Sequence, residues 1–320
     1  MKTRFHPMNK SMNMLENKEN ISPSFPNEPL MKKKAKDNFF DEMDQLLNAD
    51  FWQKNVNRTN LIPSKKDSLP KKNILMTNNN INNNIYNNPF GLNNNKSKEI
   101  DKNFSSLMNE RHSVRNFQKK EIPENLLKEI ITTAQRASSW ENSQPWNVYV
   151  ATGEVLEQIR KEYSERSKKK IKGNADMNPG HRTNFSDQGR KNMEEFMQDI
   201  SKFCQDPKME NFWLSNIVLF NSPAIVYFTL NKGYMPYSVY DLGGFGMSLM
   251  LAAKDYGIDS ITAYELIKYP DILRKNLKVP DNEDVIIGIA LGYESDNILN
   301  KYKSTRLPLD KFCHFRNKFD

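Results

Sequence analysis

The stretch RHSVRNF, Arg111 to Phe117, sets two guanidiniums and one hydroxyl at alternating positions, Arg111, Ser113 and Arg115. In extended backbone, residues two apart face the same way. The stretch can therefore present cation, donor and cation along one edge, a pattern suited to a phosphorylated, electron-rich ligand. Surface ion pairing is the other use such residues find. Three further blocks follow in order. They are SSWENSQPW (Ser138 to Trp146), DLGGFGMSLMLAAKDYGIDSITAYELIKYP (Asp241 to Pro270) and GIALGYESDNILNKYKSTRLPLDKF (Gly288 to Phe312).

Together these blocks resemble the FMN-dependent nitroreductase family, over roughly residues 104 to 320. The resemblance implies an α+β fold, with a central mixed but mainly antiparallel sheet flanked by helices, in an intertwined homodimer with extended C-terminal arms. It implies FMN as cofactor, NADPH or NADH as electron donor, and a small-molecule acceptor of the nitroaromatic or quinone type. Donor and acceptor would visit one site in turn, which is ping-pong kinetics.

A flavin asks three things of its protein: cations and donors for the phosphate, positive charge at the pyrimidine end, and a donor with open access at N5. By resemblance, Arg111 and Arg306, with Lys303 beside the latter, form the phosphate clamp. Ser113 donates to the ribityl-phosphate end, and His112 falls within the same matched stretch. Arg115 corresponds to the family's basic residue at the pyrimidine edge. Ser138, Ser139, Trp140 and Asn142 match a loop that reaches the flavin of the opposite subunit, and Glu265 a loop lying near N5. No side chain is assigned a catalytic role, because the cofactor carries the redox chemistry. The family's Ala-Pro-Ser is here Ala137-Ser138-Ser139. Trp140 stands where a small residue is more common, either narrowing the pocket, stacking on an aromatic acceptor or packing at the dimer interface. Lys303 and Arg306 are spaced one residue wider than in many relatives, which leaves open whether Lys303 or Ser304 meets the phosphate.

Composition divides the chain. Between Asn78 and Asn95 eleven of eighteen positions are Asn, too polar to offset the entropy of chain ordering. Residues 1–103 are accordingly expected to be a disordered Asn/Lys-rich extension, and 104–320 the FMN-binding domain. Within the extension, Phe39, Phe40, Met43, Leu46, Leu47 and Phe51 fall on one helical face, either packing on the folded domain or docking a partner. The formal charge of +8 resides mostly there: residues 1–103 carry 17 Lys and Arg against 11 Asp and Glu, leaving 30 against 28 for the rest. No finger spacing, aromatic RNA-binding string or basic helix accompanies that charge, so specific nucleic-acid binding is not expected. Two cysteines and four histidines without ligand spacing indicate neither a disulfide framework nor a metal site. No run is apolar enough to span a membrane. The expected location is cytoplasmic, although the basic N-terminus also suits organelle targeting.

Periodicity supplies the elements. Leu126, Leu127, Ile130, Ile131, Ala134 and Ala137 recur at three and four residues in a helix opened by Pro123. Trp146, Val148 and Val150 alternate as a strand, after which Thr152 caps a charged helix. Residues 170 to 190 read as a mobile loop or lid. Phe212–Phe220 reads as a buried helix and Ala224–Leu230 as a buried strand. Asp241 is expected to cap a long apolar helix that Gly257 ends, and VIIGIAL (Val285–Leu291) to be a central strand. Gly243 and Gly246 would let another element approach that helix closely. No Gly-rich βαβ fingerprint occurs, so no Rossmann site is expected. The alternative to an enzyme is a non-catalytic flavin sensor or interaction protein acting through its tail.

Overall fold

The computed structural model describes residues 104–317. The extension, its boundary and the helical face from Phe39 to Phe51 lie outside the described residues. Four strands form one sheet in the order β1-β2-β4-β3: β1 (Trp146–Thr152), β2 (Ala224–Asn231), β3 (Asp259–Thr262) and β4 (Glu283–Gly292). All three strand pairings are antiparallel, and the parallel component is an isolated bridge between Ser113 and Ser260. The helices are α1 (Phe104–Glu110), α2 (Glu124–Ala134), α3 (Gly153–Lys168), α4 (Asp187–Phe203), α5 (Glu210–Ile217), α6 (Pro236–Asp255), α7 (Pro270–Leu277) and α8 (Ile298–Lys301).

β2 is buried along Ala224–Leu230, and its alternate side chains serve two cores. Ile225 and Tyr227 pack with Tyr163 of α3 and Ile272 and Leu273 of α7, whereas Val226, Phe228 and Leu230 pack with Ile130 of α2 and Phe245 and Leu249 of α6. A strand covered on both faces reads as an unbroken apolar run, which explains AIVYFTL and VIIGIAL together.

Several expected details differ. Thr152 sits at the N-cap of α3, but its side chain makes no capping bond. α6 begins at Pro236, so Asp241 lies inside the helix rather than at its cap. Gly257 does follow the end of α6, at φ +74°, and its N–H donates to Lys254 O at 3.0 Å. Gly246 lies 3.4 Å, measured from a Cβ placed there, from Ile289 of the sheet, whereas Gly243 faces open space. The first half of the expected lid is pinned. Tyr269 Oη donates to Ile171 O at 2.7 Å, and Asp176 both pairs with Arg274 and accepts from Val285 N–H, each at 2.8 Å.

Candidate functional site

The RHSVRNF strip is fastened to the sheet at its far end. Phe117 N–H donates to Phe220 O at 3.0 Å, and the ring packs where Gly292 ends β4. A Cβ at Gly292 would stand 2.6 Å from Phe117 Cδ1, so only glycine admits the ring. Phe220 belongs to a left-handed run, with Leu219, Phe220 and Asn221 at φ 49°, 59° and 55°. Arg160 of α3 braces both ends of this run: its Nε donates to Val218 O at 3.0 Å and its Nη2 to Ser222 O.

A second splice joins the strip to the C-terminal segment. Asn300, 1% exposed, accepts from Arg115 N–H at 2.7 Å and Asn116 N–H at 3.1 Å, while its Nδ2 donates to Asn116 O at 2.7 Å and Ser295 O at 3.0 Å. The side-chain amide thus satisfies backbone groups of Arg115 and Asn116, between the bridges that Ser113 makes to Ser260 and Phe117 to Glu294. As a result Arg111 and Arg115, distant in sequence from Lys303 and Arg306, line one cavity of about 220 Å³. His112 and Ser113 line it as well, together with Met108, Asn109, Tyr302 and Ser304.

No lining residue is acidic. Burial, and then the like charge of Arg306, lower the pKa of Arg111. Arg111 Nε is buried without a hydrogen-bond partner among the described residues. Burial likewise lowers the pKa of Arg115, whose Nη1 donates to Ser113 O at 3.1 Å. His112 lies 3.5 Å from Glu294, which is not among the lining residues. Converging cations with an orphaned donor are the electrostatic complement of a phosphate-sized anion.

The other expected residues lie elsewhere. Ser138, Ser139, Trp140 and Asn142 occupy a loop over the start of α6. Trp140 N–H donates to the buried carboxylate of Asp241 at 3.0 Å, which is what Asp241 does in place of capping. Trp140 is 56% exposed, and its ring meets that of Tyr237 at a centroid distance of 4.9 Å with the planes tilted by 49°. Ser139 Oγ accepts from Gln144 N–H, and Asn142 stands at φ 60°. Glu265 is also outside the cavity: it is buried in the turn Tyr264–Ile267 and pairs with Lys268 at 3.2 Å. Burial pushes its carboxyl up despite that partner. Asn300, Tyr302, Asn109 and Met108 were not expected. Nothing in SDNILNKYK distinguishes a splicing Asn from a surface one.

Fold and cavity together define an α+β protein whose antiparallel sheet carries a cation-lined cavity along one edge strip. The chain belongs to the nitroreductase family, whose model matches residues 108–293. It is 26% identical to a 4-nitrobenzoate reductase of Pseudomonas putida, across 66% of this chain and 95% of that one. It is also 26% identical to a nitrobenzene nitroreductase of Ectopseudomonas oleovorans, across 65% and 95%. Among solved structures it is similar to the FMN-dependent nitroreductase NfnB of Mycobacterium smegmatis in complex with NADPH. The TM-score is 0.62 at 22% identity, covering 67% of this chain and 97% of the other, which shows the shared fold.

Proposed function

We propose that this chain is an FMN-dependent NAD(P)H oxidoreductase that reduces nitroaromatic or quinone-type acceptors. The observation that carries the reading is the cavity in which Arg111, Arg115, Lys303 and Arg306 converge with, among the described residues, no acid in the lining and no partner for Arg111 Nε. Those residues fit the phosphate of FMN in charge and donor type. The relatives named for nitrobenzoate and nitrobenzene, and the NADPH complex of NfnB, support the choice of acceptor and donor.

In this reading Arg111, Lys303 and Arg306 hold the phosphate and Ser113 donates to the ribityl end. Arg115 supplies fixed positive charge farther along the strip. Bound there, FMN would supply a carrier that takes a hydride from the nicotinamide and passes electrons to the acceptor. The exposed Trp140 loop, braced by Asp241, is assigned to the site of a second subunit, as the solvent-facing Trp140, Tyr237 and Tyr240 suggest. The donor leaves before the acceptor enters, so steady-state plots at several donor concentrations should run parallel.

The test is the visible spectrum of the purified full-length chain, recorded anaerobically before and after NADPH, then NADH, then 4-nitrobenzoate, with any released cofactor identified by mass. A flavin band that bleaches with nicotinamide and returns with the acceptor is expected. A colourless protein that takes up no added FMN would overturn the reading.

A further inference from the structure

Arg115 has an environment unlike that of the other pocket cations. Its Cζ lies 5.6 Å from the ring centroid of Phe196 on α4 and 5.6 Å from that of Phe212 on α5. Those two rings are 6.5 Å apart in a T-shaped arrangement, and Phe196 also approaches Tyr302, a cavity residue, at 5.9 Å. No carboxylate pairs with Arg115 among the described residues. A partly buried guanidinium commonly meets an acid, which stabilises the charge but also cancels its field. Aromatic faces within about 6 Å stabilise a cation through the ring quadrupole and leave the net charge intact.

We propose that Phe196 and Phe212 are positioning residues that hold Arg115 as an un-neutralised charge for the bound flavin nucleotide, making α4 and α5 part of the cofactor site. The proposal rests on the FMN reading above. It explains why the helical segment after the pinned loop returns to the strip: α4 is fixed at its start by Ser186 Oγ accepting from Gly189 N–H, and its Phe196 then reaches Arg115. A merely hydrophobic role for the rings would be equally served by leucine, which fills similar volume without a π face.

The experiment is a titration of FMN into the flavin-stripped full-length chain, followed by quenching of FMN fluorescence. Phe196→Leu and Phe212→Leu are measured singly, each in the parent and in an Arg115→Met background. In the parent each substitution should raise the Kd roughly 2- to 30-fold with little change in Tm, and Phe196→Tyr should restore binding. In the Arg115→Met background the same substitutions should add no further loss, because the cation they act through is gone. Equal losses in both backgrounds, or no loss in the parent, would overturn the cage. A parent chain that takes up no FMN would instead refute the cofactor reading, and the proposal with it.

Discussion

Arg160→Ala is expected to cost more stability than any surface substitution of similar size. The left-handed run Leu219–Asn221 is unfavourable for side-chain-bearing residues by about 1–2 kcal/mol each, and it persists because the fold over-determines it. Arg160, whose side chain is 14% exposed, donates to the carbonyls on both sides of the run, Val218 O and Ser222 O. A hydrogen bond with one charged partner contributes about 1.5–3 kcal/mol, so losing two predicts about 3–6 kcal/mol. For a folded region of this size that corresponds to a fall in Tm of roughly 6–24 °C. Arg160→Lys keeps the charge but cannot fork between two carbonyls, and should lose about half as much. Urea unfolding followed by circular dichroism measures the cost, and FMN titration measures its reach, because Phe220 O anchors Phe117 at the end of the pocket strip. A loss below about 1 kcal/mol in Arg160→Ala would refute the argument that these bonds hold the run.

Arg111→Ala should weaken FMN binding by about 1.5–3 kcal/mol, the worth of its charge-assisted bonds; equal FMN content in mutant and parent would remove it from the site. Asn300→Ala strands the N–H donors of Arg115 and Asn116 and removes the side-chain donor from Ser295 O, whereas Asn116 O keeps Ser295 as a donor; it should destabilise the chain by about 2–4 kcal/mol while lowering FMN affinity, both readable from one denaturation and binding series. The pH dependence of Glu265 is fixed in sign. Burial raises its folded pKa above the ordinary 4.5, so the native state binds this proton more tightly than the unfolded chain does. That contribution is present below 4.5 and is lost as pH rises through the folded value. The stability of the parent relative to Glu265→Gln should therefore increase as pH falls from neutral toward 4.5, and a decrease in urea midpoints over that window would contradict it.

The two central strands were legible because both of their faces are buried, so AIVYFTL and VIIGIAL announce themselves by apolarity alone. Gly257 was legible because a helix end at positive φ favours glycine. Asp241 was misread as a cap for a physical reason: a short acid near the start of an apolar helix has that use locally, whereas its partner, the Trp140 amide, comes from a loop 101 residues earlier. The lid reading missed the pinning of its first half for the same reason. Gly173 and Pro179 signal an irregular path, yet Asp176 is tied to Arg274 and to the backbone of β4 by contacts that no local pattern records.

The candidate site divides along the same line. By itself the sequence determined the ingredients: an alternating Arg-Ser-Arg strip, a distant basic pair, and apolar runs sufficient for a sheet covered on both sides, since these follow from side-chain chemistry and period. Only the tertiary structure decided which of them meet. Asn300 and the braced left-handed run bring Arg111, His112, Ser113, Arg115, Lys303 and Arg306 to one cavity, while Ser138, Ser139, Trp140, Asn142 and Glu265 are held elsewhere in this chain. The reason is that convergence depends on long-range hydrogen bonds and packing, whose partners are set by the path of the whole chain rather than by any neighbour in sequence.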